Sequence, residues 1–256
     1  MQRLRVRYAK RGRLRFTSHR DFSRAFERAI VRARVPMAYS SGFNPHPRIS
    51  YAGAAPTGAA SEAEYLEIGL ATVTNADRVL VDLDEALPPG LDVLEVVESP
   101  GGSLADLLEA SVWRTRVPGL DRPTAEAAVA AFLAADEVPV ERMTKKGMRT
   151  FDARGAVVRL TVAADVPDSG VSDTSDTSDG PSAGSGAGSA GVCAILEVVL
   201  RHGTPAVRPD DVLAGIRDIA GLEAAAAPLH ERLAQGPLDQ RTGTVGDPLA
   251  LNRDTA

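Results

Sequence analysis

The sequence predicts an α+β protein whose antiparallel sheets carry helices on one face. Three observations support this. Short stretches alternate apolar and polar residues with period two, as half-buried strands do. Between them lie segments whose apolar residues recur at three- and four-residue spacing, the pattern of amphipathic helices. The two kinds succeed one another in the order β-α-β-β-α-β, which is ferredoxin-like, and a weaker second copy follows. We therefore expect two such units, at residues 1–100 and 105–234. The second carries a long disordered insertion at 165–191, and a flexible tail occupies 235–256.

In the first unit Leu4, Val6 and Tyr8 alternate with Arg3, Arg5 and Arg7 and predict a strand. Lys10-Arg11-Gly12-Arg13 is a turn, after which Leu14 and Phe16 resume the alternation, so the strand is expected to bend or fold back near Gly12. Ser18 stands three residues before Asp21, the spacing at which a hydroxyl and a carboxylate reciprocally cap a helix start. Phe22, Ala25, Phe26, Ala29, Ile30 and Ala33 then form a core-facing stripe, while Arg20, Arg24, Arg28 and Arg32 recur every fourth residue on another face. Pro36 stops the helix. Beyond the loop at 40–48, residues 49–54 and 65–70 read as strands separated by a turn at 56–58. Residues 76–87 are a helix with Val79, Leu80, Leu83 and Leu87 inward, and 91–97 a fourth strand.

The second unit opens with a short helix at 105–110 and a strand at 111–117, where Val112, Arg114 and Arg116 alternate with Trp113, Thr115 and Val117. An alanine-rich helix at 124–135 is followed by strands at 138–143, 157–163 and 192–200 and a helix at 209–216. The insertion consists of Ser, Asp, Gly and Ala with a near-repeat of Ser-Asp-Thr, and has almost nothing apolar to bury.

Composition excludes several classes. A hydrophobic fraction of 44% with 25% charged residues is that of a globular protein. No run approaches the roughly 18 apolar residues that a membrane span needs, and the basic N-terminus has no apolar block behind it, so neither an anchor nor a signal peptide is expected. The single cysteine, Cys193, fits a reducing cytoplasm and excludes a cysteine-rich metal or cluster site in this chain. The net charge of −5 is unevenly spread: residues 1–48 hold thirteen Arg and Lys against Asp21 and Glu27, a local +11, so the other 208 residues carry −16. Such a split points to a basic face that meets a polyanion or an acidic partner.

Phe16-Thr17-Ser18-His19-Arg20-Asp21, Arg28-Ala29, Arg32-Ala33, the run Ser41-Gly42-Phe43-Asn44-Pro45-His46-Pro47-Arg48-Ile49-Ser50, Gly58 and Ser61-Glu62-Ala63-Glu64-Tyr65-Leu66 resemble, in that order, a family of uncharacterised bacterial radical SAM-linked proteins. The likeness continues through Thr144-Lys145-Lys146-Gly147, Asp152 and Arg154, and covers most of residues 1–165 and the strand near Cys193. It implies a domain of unknown function in its stand-alone form, a companion of a radical SAM protein, with RNA as the candidate substrate of that system. It supplies no catalytic residue. An iron–sulfur cluster and SAM are expected only in that partner, with no cofactor or metal in this chain.

The candidate polyanion-binding residues are Arg20, Arg24, Arg28 and Arg32 on the helix, His19 at its start, Phe43, Asn44, His46 and Arg48 in the proline-stiffened loop, and Lys145 and Lys146 at a basic hairpin tip. Spaced guanidinium groups match the anionic oxygens of a nucleic acid backbone, and an aromatic on a rigid loop can stack on a base. Ser18, His19 and Asp21 are too close along one helix start to form a triad, and His19 with His46 lacks a third metal ligand. The function expected is a non-catalytic RNA- or polyanion-binding accessory. The alternatives are a metal-independent RNA-processing enzyme using His19 or His46 as general acid/base, or a scaffold docking an acidic protein.

Overall fold

The computed structural model describes residues 1–144, 147–164, 192–222 and 226–253. Strand β1 (Gln2–Lys10) turns Leu4, Val6 and Tyr8 into a core shared with helices α1 (His19–Arg32) and α2 (Ala76–Ala86), so its arginines lie on the opposite side of the sheet. It is flanked by β3 (Ala60–Leu70) and β4 (Val93–Glu98), both antiparallel to it, and β2 (Ile49–Ala52) pairs antiparallel with β3 at residues 65–68. Past β1 the chain does not resume a strand: Gly12–Phe16 is a 3-10 turn leading into α1.

The second half has the same alternation of elements with one addition. After β5 (Ala110–Pro118) and α3 (Arg122–Ala134), β6 (Pro139–Thr144) and β7 (Gly147–Asp152) pair only with each other. Residues 138–143, expected as a sheet strand, instead form half of this separate hairpin. Val138 and Val140 are buried, but Glu141, Met143 and β7 are largely exposed, so the hairpin has only a narrow apolar side to offer. The sheet is continued by β8 (Val157–Val162) and β9 (Cys193–Arg201), then helix α4 (Pro209–Ala220) and strand β10 (Leu229–Gly236). The order is β10-β5-β9-β8, antiparallel throughout, with α3 and α4 over a second core around Trp113 and Phe132.

The two halves share one eight-stranded, mostly antiparallel sheet, because β10 also pairs with β3, in parallel, at Ala60 with Glu231 and Ser61 with Arg232. A buried polar cluster sits at this seam. Arg232 forms an ion pair with Glu64, donates to Gly53 O at 2.7 Å and to Ser61 Oγ at 3.2 Å, and stands over the Trp113 ring at 5.3 Å. Gln235 donates to Ala63 O at 2.8 Å, and Lys10 Nζ to the carbonyls of Ala55 and Pro56 at 3.4 and 3.3 Å. Gly53, at φ +58°, admits the contact: a Cβ there would stand 2.6 Å from Gln235 Oε1.

Residues from 235 onward, expected as a loose tail, are built into this sheet and its margin as far as 253. Gln235 is fully buried, β11 (Leu238–Asp239) pairs with β12 (Thr244–Val245), and Leu249 is buried ahead of a one-turn helix α5 (Ala250–Arg253). Lys145, Lys146 and the insertion at 165–191 lie outside the described residues.

Candidate functional site

Helix α1 begins at Ser18, whose Oγ accepts from the Asp21 amide at 3.2 Å and donates to Asp21 Oδ2 at 2.6 Å. The carboxylate returns to the hydroxyl and not to the Ser18 amide, so only one of the two reciprocal caps forms. Phe22, Phe26, Ala29 and Ile30 are buried, with Phe22 stacked on Tyr8 at 4.4 Å between ring centres. The apolar side of the helix is thereby committed to the sheet. Arg20, Arg24, Arg28 and Arg32 are left exposed, and none has a carboxylate partner among the described residues.

The helix ends four residues before Pro36. Arg34 sits at φ 53° in the left-handed region, its amide donates to Val31 O at 3.2 Å, and the Val35 amide reaches back to Ile30 O at 3.1 Å. This is the closing turn that usually uses glycine at the position of Arg34. It makes Arg34 a further exposed cation at the end of the ladder.

The ladder is not straight. Four residues advance about 400° around an α-helix, roughly 40° beyond a full turn, so successive arginines drift sideways. Arg24 and Arg28 share a shallow depression with Glu27 and Val31, whereas Arg32 has swung toward α2 and borders Arg34, Arg78, Asp82 and Glu85. All four face solvent, and the last also lies near Asp82 and Glu85.

The arginines of β1 are in a different situation. Arg3 and Arg5 meet Glu67 at 3.2 and 3.4 Å, Arg5 also donates to Gly101 O at 2.8 Å, and Arg7 donates to Glu62 O at 2.9 Å. Arg11 pairs with Glu62 and with Asp92 at 2.7 Å. Near the hairpin, Arg142 is bound to Asp211 at 2.6 Å and lies over Phe151, while Arg154 donates to Leu133 O and Val157 O. Much of the basic charge counted in the sequence is thus held in place by acids and carbonyls. The outer side of α1 is not.

The loop after α1 folds on itself through a bridge between Tyr39 and Pro47, with the Ser40 amide donating to His46 O at 2.8 Å and the His46 amide to Ser40 Oγ at 3.0 Å. Gly42, at φ 138°, turns the tip. Phe43 there is 103% exposed, which excludes packing into the core, and Asn44 is exposed beside it. His46 and Arg48 turn to the side of the sheet opposite α1, into a groove of about 470 Å³ with Arg3, Ser40, Ser50 and Glu67. His19 stands edge-on to the Tyr51 ring at 4.8 Å, at the other end of β2. The residues expected to act together are thus divided: the ladder lies outside α1, Phe43 and Asn44 at the loop tip, and His46 with Arg48 in the groove. The groove that takes His46 is not lined by His19.

One constellation escaped the sequence. His230 Nδ1 lies 2.9 Å from Thr115 Oγ1 and its Nε2 2.8 Å from Asp210 Oδ1, a hydroxyl–imidazole–carboxylate chain. The hydrogen bond from His230 holds the Asp210 carboxyl below the usual range. Thr115, however, is 2% exposed between the sheet and α4, so no substrate carbonyl reaches its hydroxyl and the chain ties β10, β5 and α4 together. The three residues stand up to 115 positions apart with no local pattern to link them. Among the described residues no group of three His, Cys, Asp or Glu is placed to hold a metal ion, and no helix is long and apolar enough to cross a membrane.

The model of a protein family described as "Uncharacterized protein conserved in bacteria (DUF2344)" matches residues 3–209, a span that contains α1, the loop and the groove. No curated protein matches the chain.

Proposed function

The chain belongs to this family of uncharacterized proteins conserved in bacteria, and on that premise we propose that it binds RNA or another polyanion through the outer face of α1. In this reading it is a non-catalytic, cytoplasmic accessory of a radical SAM enzyme, and that partner holds the iron–sulfur cluster and SAM. The ordered likeness of residues 16–66 to radical SAM-linked proteins supports the companion. The strand orders β4-β1-β3-β2 and β10-β5-β9-β8 support reading each half as a ferredoxin-like unit.

The observation that carries the binding reading is the division of the arginines. Arg3 and Arg5 of β1 share Glu67 and Arg11 beyond it meets Glu62 and Asp92, while Arg20, Arg24, Arg28 and Arg32 point outward with no carboxylate partner among the described residues. Four like charges on one helix repel one another, a cost that bound phosphates relieve. Each phosphate contact releases counterions, so binding weakens as salt rises.

The test is a salt titration of binding to a single-stranded RNA. Four phosphate contacts give a slope of log K against log salt of about −3. The double variant Arg24→Gln, Arg28→Gln is expected to reduce that slope by about 1.4 while the fold is kept. RNA affinity that is absent, or indifferent to ionic strength, overturns the proposal.

A further inference from the structure

The groove on the side of the sheet opposite α1 is built from β1, β2, β3 and the returning loop, and its charge balance differs from that of α1. Glu67 is its only acid, and both carboxylate oxygens are engaged: Oε1 accepts from Arg3 at 3.2 Å, and Oε2 from Arg5 at 3.4 Å and Ser99 Oγ at 2.8 Å. Two guanidinium groups, those of Arg3 and Arg48, border the groove, and its one carboxylate is also met by Arg5, which does not line it. Arg5 is 1% exposed and serves as Glu67's buried partner, so the cations presented to the groove are Arg3 and Arg48, which are both exposed.

Arg48 is held with its head free. Its Nε donates to Tyr39 O at 3.4 Å, and its two terminal nitrogens have no partner among the described residues. Its stem lies across Gly69, where an added Cβ would stand 3.2 Å from Arg48 Cβ and 3.6 Å from Cδ. The absent side chain at Gly69 is what allows the stem to lie flat. Two hydroxyls, those of Ser40 and Ser50, border the same space; Ser40 Oγ already accepts from the His46 amide and keeps its own proton to donate.

We propose that this groove binds a phosphomonoester dianion, with the Arg48 fork as the principal donor and Arg3, Ser40, Ser50 and His46 around it. Two exposed guanidinium groups match the two negative charges of a terminal phosphate better than the single charge of a backbone phosphodiester. A guanidinium fork matches paired phosphate oxygens. The volume of about 470 Å³ falls within the range of small-ligand sites. The source of the phosphate is either a free mononucleotide or the phosphorylated end of an RNA. The site lies on the face of the sheet opposite α1, so it stands whether or not α1 binds RNA.

Calorimetric titration of the full chain with inorganic phosphate, adenosine monophosphate and adenosine tests it. Phosphate and the nucleotide are expected to bind, and adenosine is not. Arg48→Gln removes a charge-assisted pair and is expected to weaken nucleotide binding at least tenfold. Gly69→Ala leaves every charge in place but displaces the Arg48 stem, and is expected to weaken binding several-fold. The Arg24→Gln, Arg28→Gln variant should bind the nucleotide as the parent does, which separates this site from the α1 face. A tenfold preference for a 5′-phosphorylated over a 5′-hydroxyl oligoribonucleotide, lost in Arg48→Gln, identifies an RNA end as the source. Equal affinity for the two oligonucleotides with retained nucleotide binding identifies a free mononucleotide. Absence of phosphate and nucleotide binding, or binding unchanged by Arg48→Gln, overturns the proposal.

Discussion

Arg34 closes α1 at φ 53°, a backbone conformation that costs an L-residue roughly 1–2 kcal/mol and glycine nothing comparable. Its side chain is exposed and has no carboxylate partner among the described residues, so little offsets that strain. Arg34→Gly is expected to stabilise the protein by about 0.5–1 kcal/mol, read as an upward shift of the urea midpoint at unchanged slope. A loss of stability would mean that the Arg34 side chain makes a contact worth more than the strain.

His202 shows how one side chain can make stability depend on pH. Trp113 Nε1 donates to Ser111 Oγ at 2.7 Å, His202 Nδ1 donates to Leu108 O at 2.7 Å because a carbonyl only accepts, and neutral His202 then accepts at Nε2 from Ser111 Oγ at 3.0 Å. The chain fixes the neutral tautomer with its proton on Nδ1, and partial burial of the ring lowers the pKa of His202 below its ordinary value. Between that lowered value and about 6.5 the unfolded chain binds a proton that the folded chain does not, so stability falls on acidification through this window. Urea midpoints from pH 7 to pH 5 are expected to drop more steeply in the parent than in His202→Gln. Parallel curves would remove His202 as the cause.

At the scale of elements, α1 was legible because its core side obeys a helical period over fourteen residues and its start carries a capping hydroxyl. Strand β10 was not. Its sequence, Leu-His-Glu-Arg-Leu-Ala-Gln-Gly, places Arg232 and Gln235 where an alternating pattern would show apolar residues, because that strand buries a polar cluster instead. The groove was missed for a related reason: it joins Arg3, Arg48 and Glu67 from three segments, and only the fold brings them together. Breaking the pair at the seam leaves a buried guanidinium without its carboxylate. Glu64→Ala is therefore expected to destabilise by about 3–5 kcal/mol, a loss measurable by chemical denaturation. A cost below about 1 kcal/mol would show that water satisfies Arg232 instead.

For the whole molecule, two units were expected from repeated patterning, and one continuous sheet joins them. Strand β10 contributes seven residue pairings to β5 and two to β3, so it belongs to both halves. Ending the chain at residue 228 removes it and bares the edges of β3 and β5 together, with Glu64 left unpaired. Such a chain is expected to aggregate and to lose the single cooperative unfolding transition of the full chain in calorimetry. Retention of one sharp transition at the original temperature would show that the halves are stable without the seam.

The parallel contact of β10 with β3 also bears on biosynthesis. Ser61 and Arg232 are separated by 171 positions, and at about 5–20 residues per second a ribosome needs roughly 10 to 30 seconds to deliver the second after the first. Throughout that interval Glu64 waits without its guanidinium and the Ala60 end of β3 has no neighbour on that side. The nascent chain is therefore most vulnerable to capture or mispairing in the period just before synthesis reaches β10.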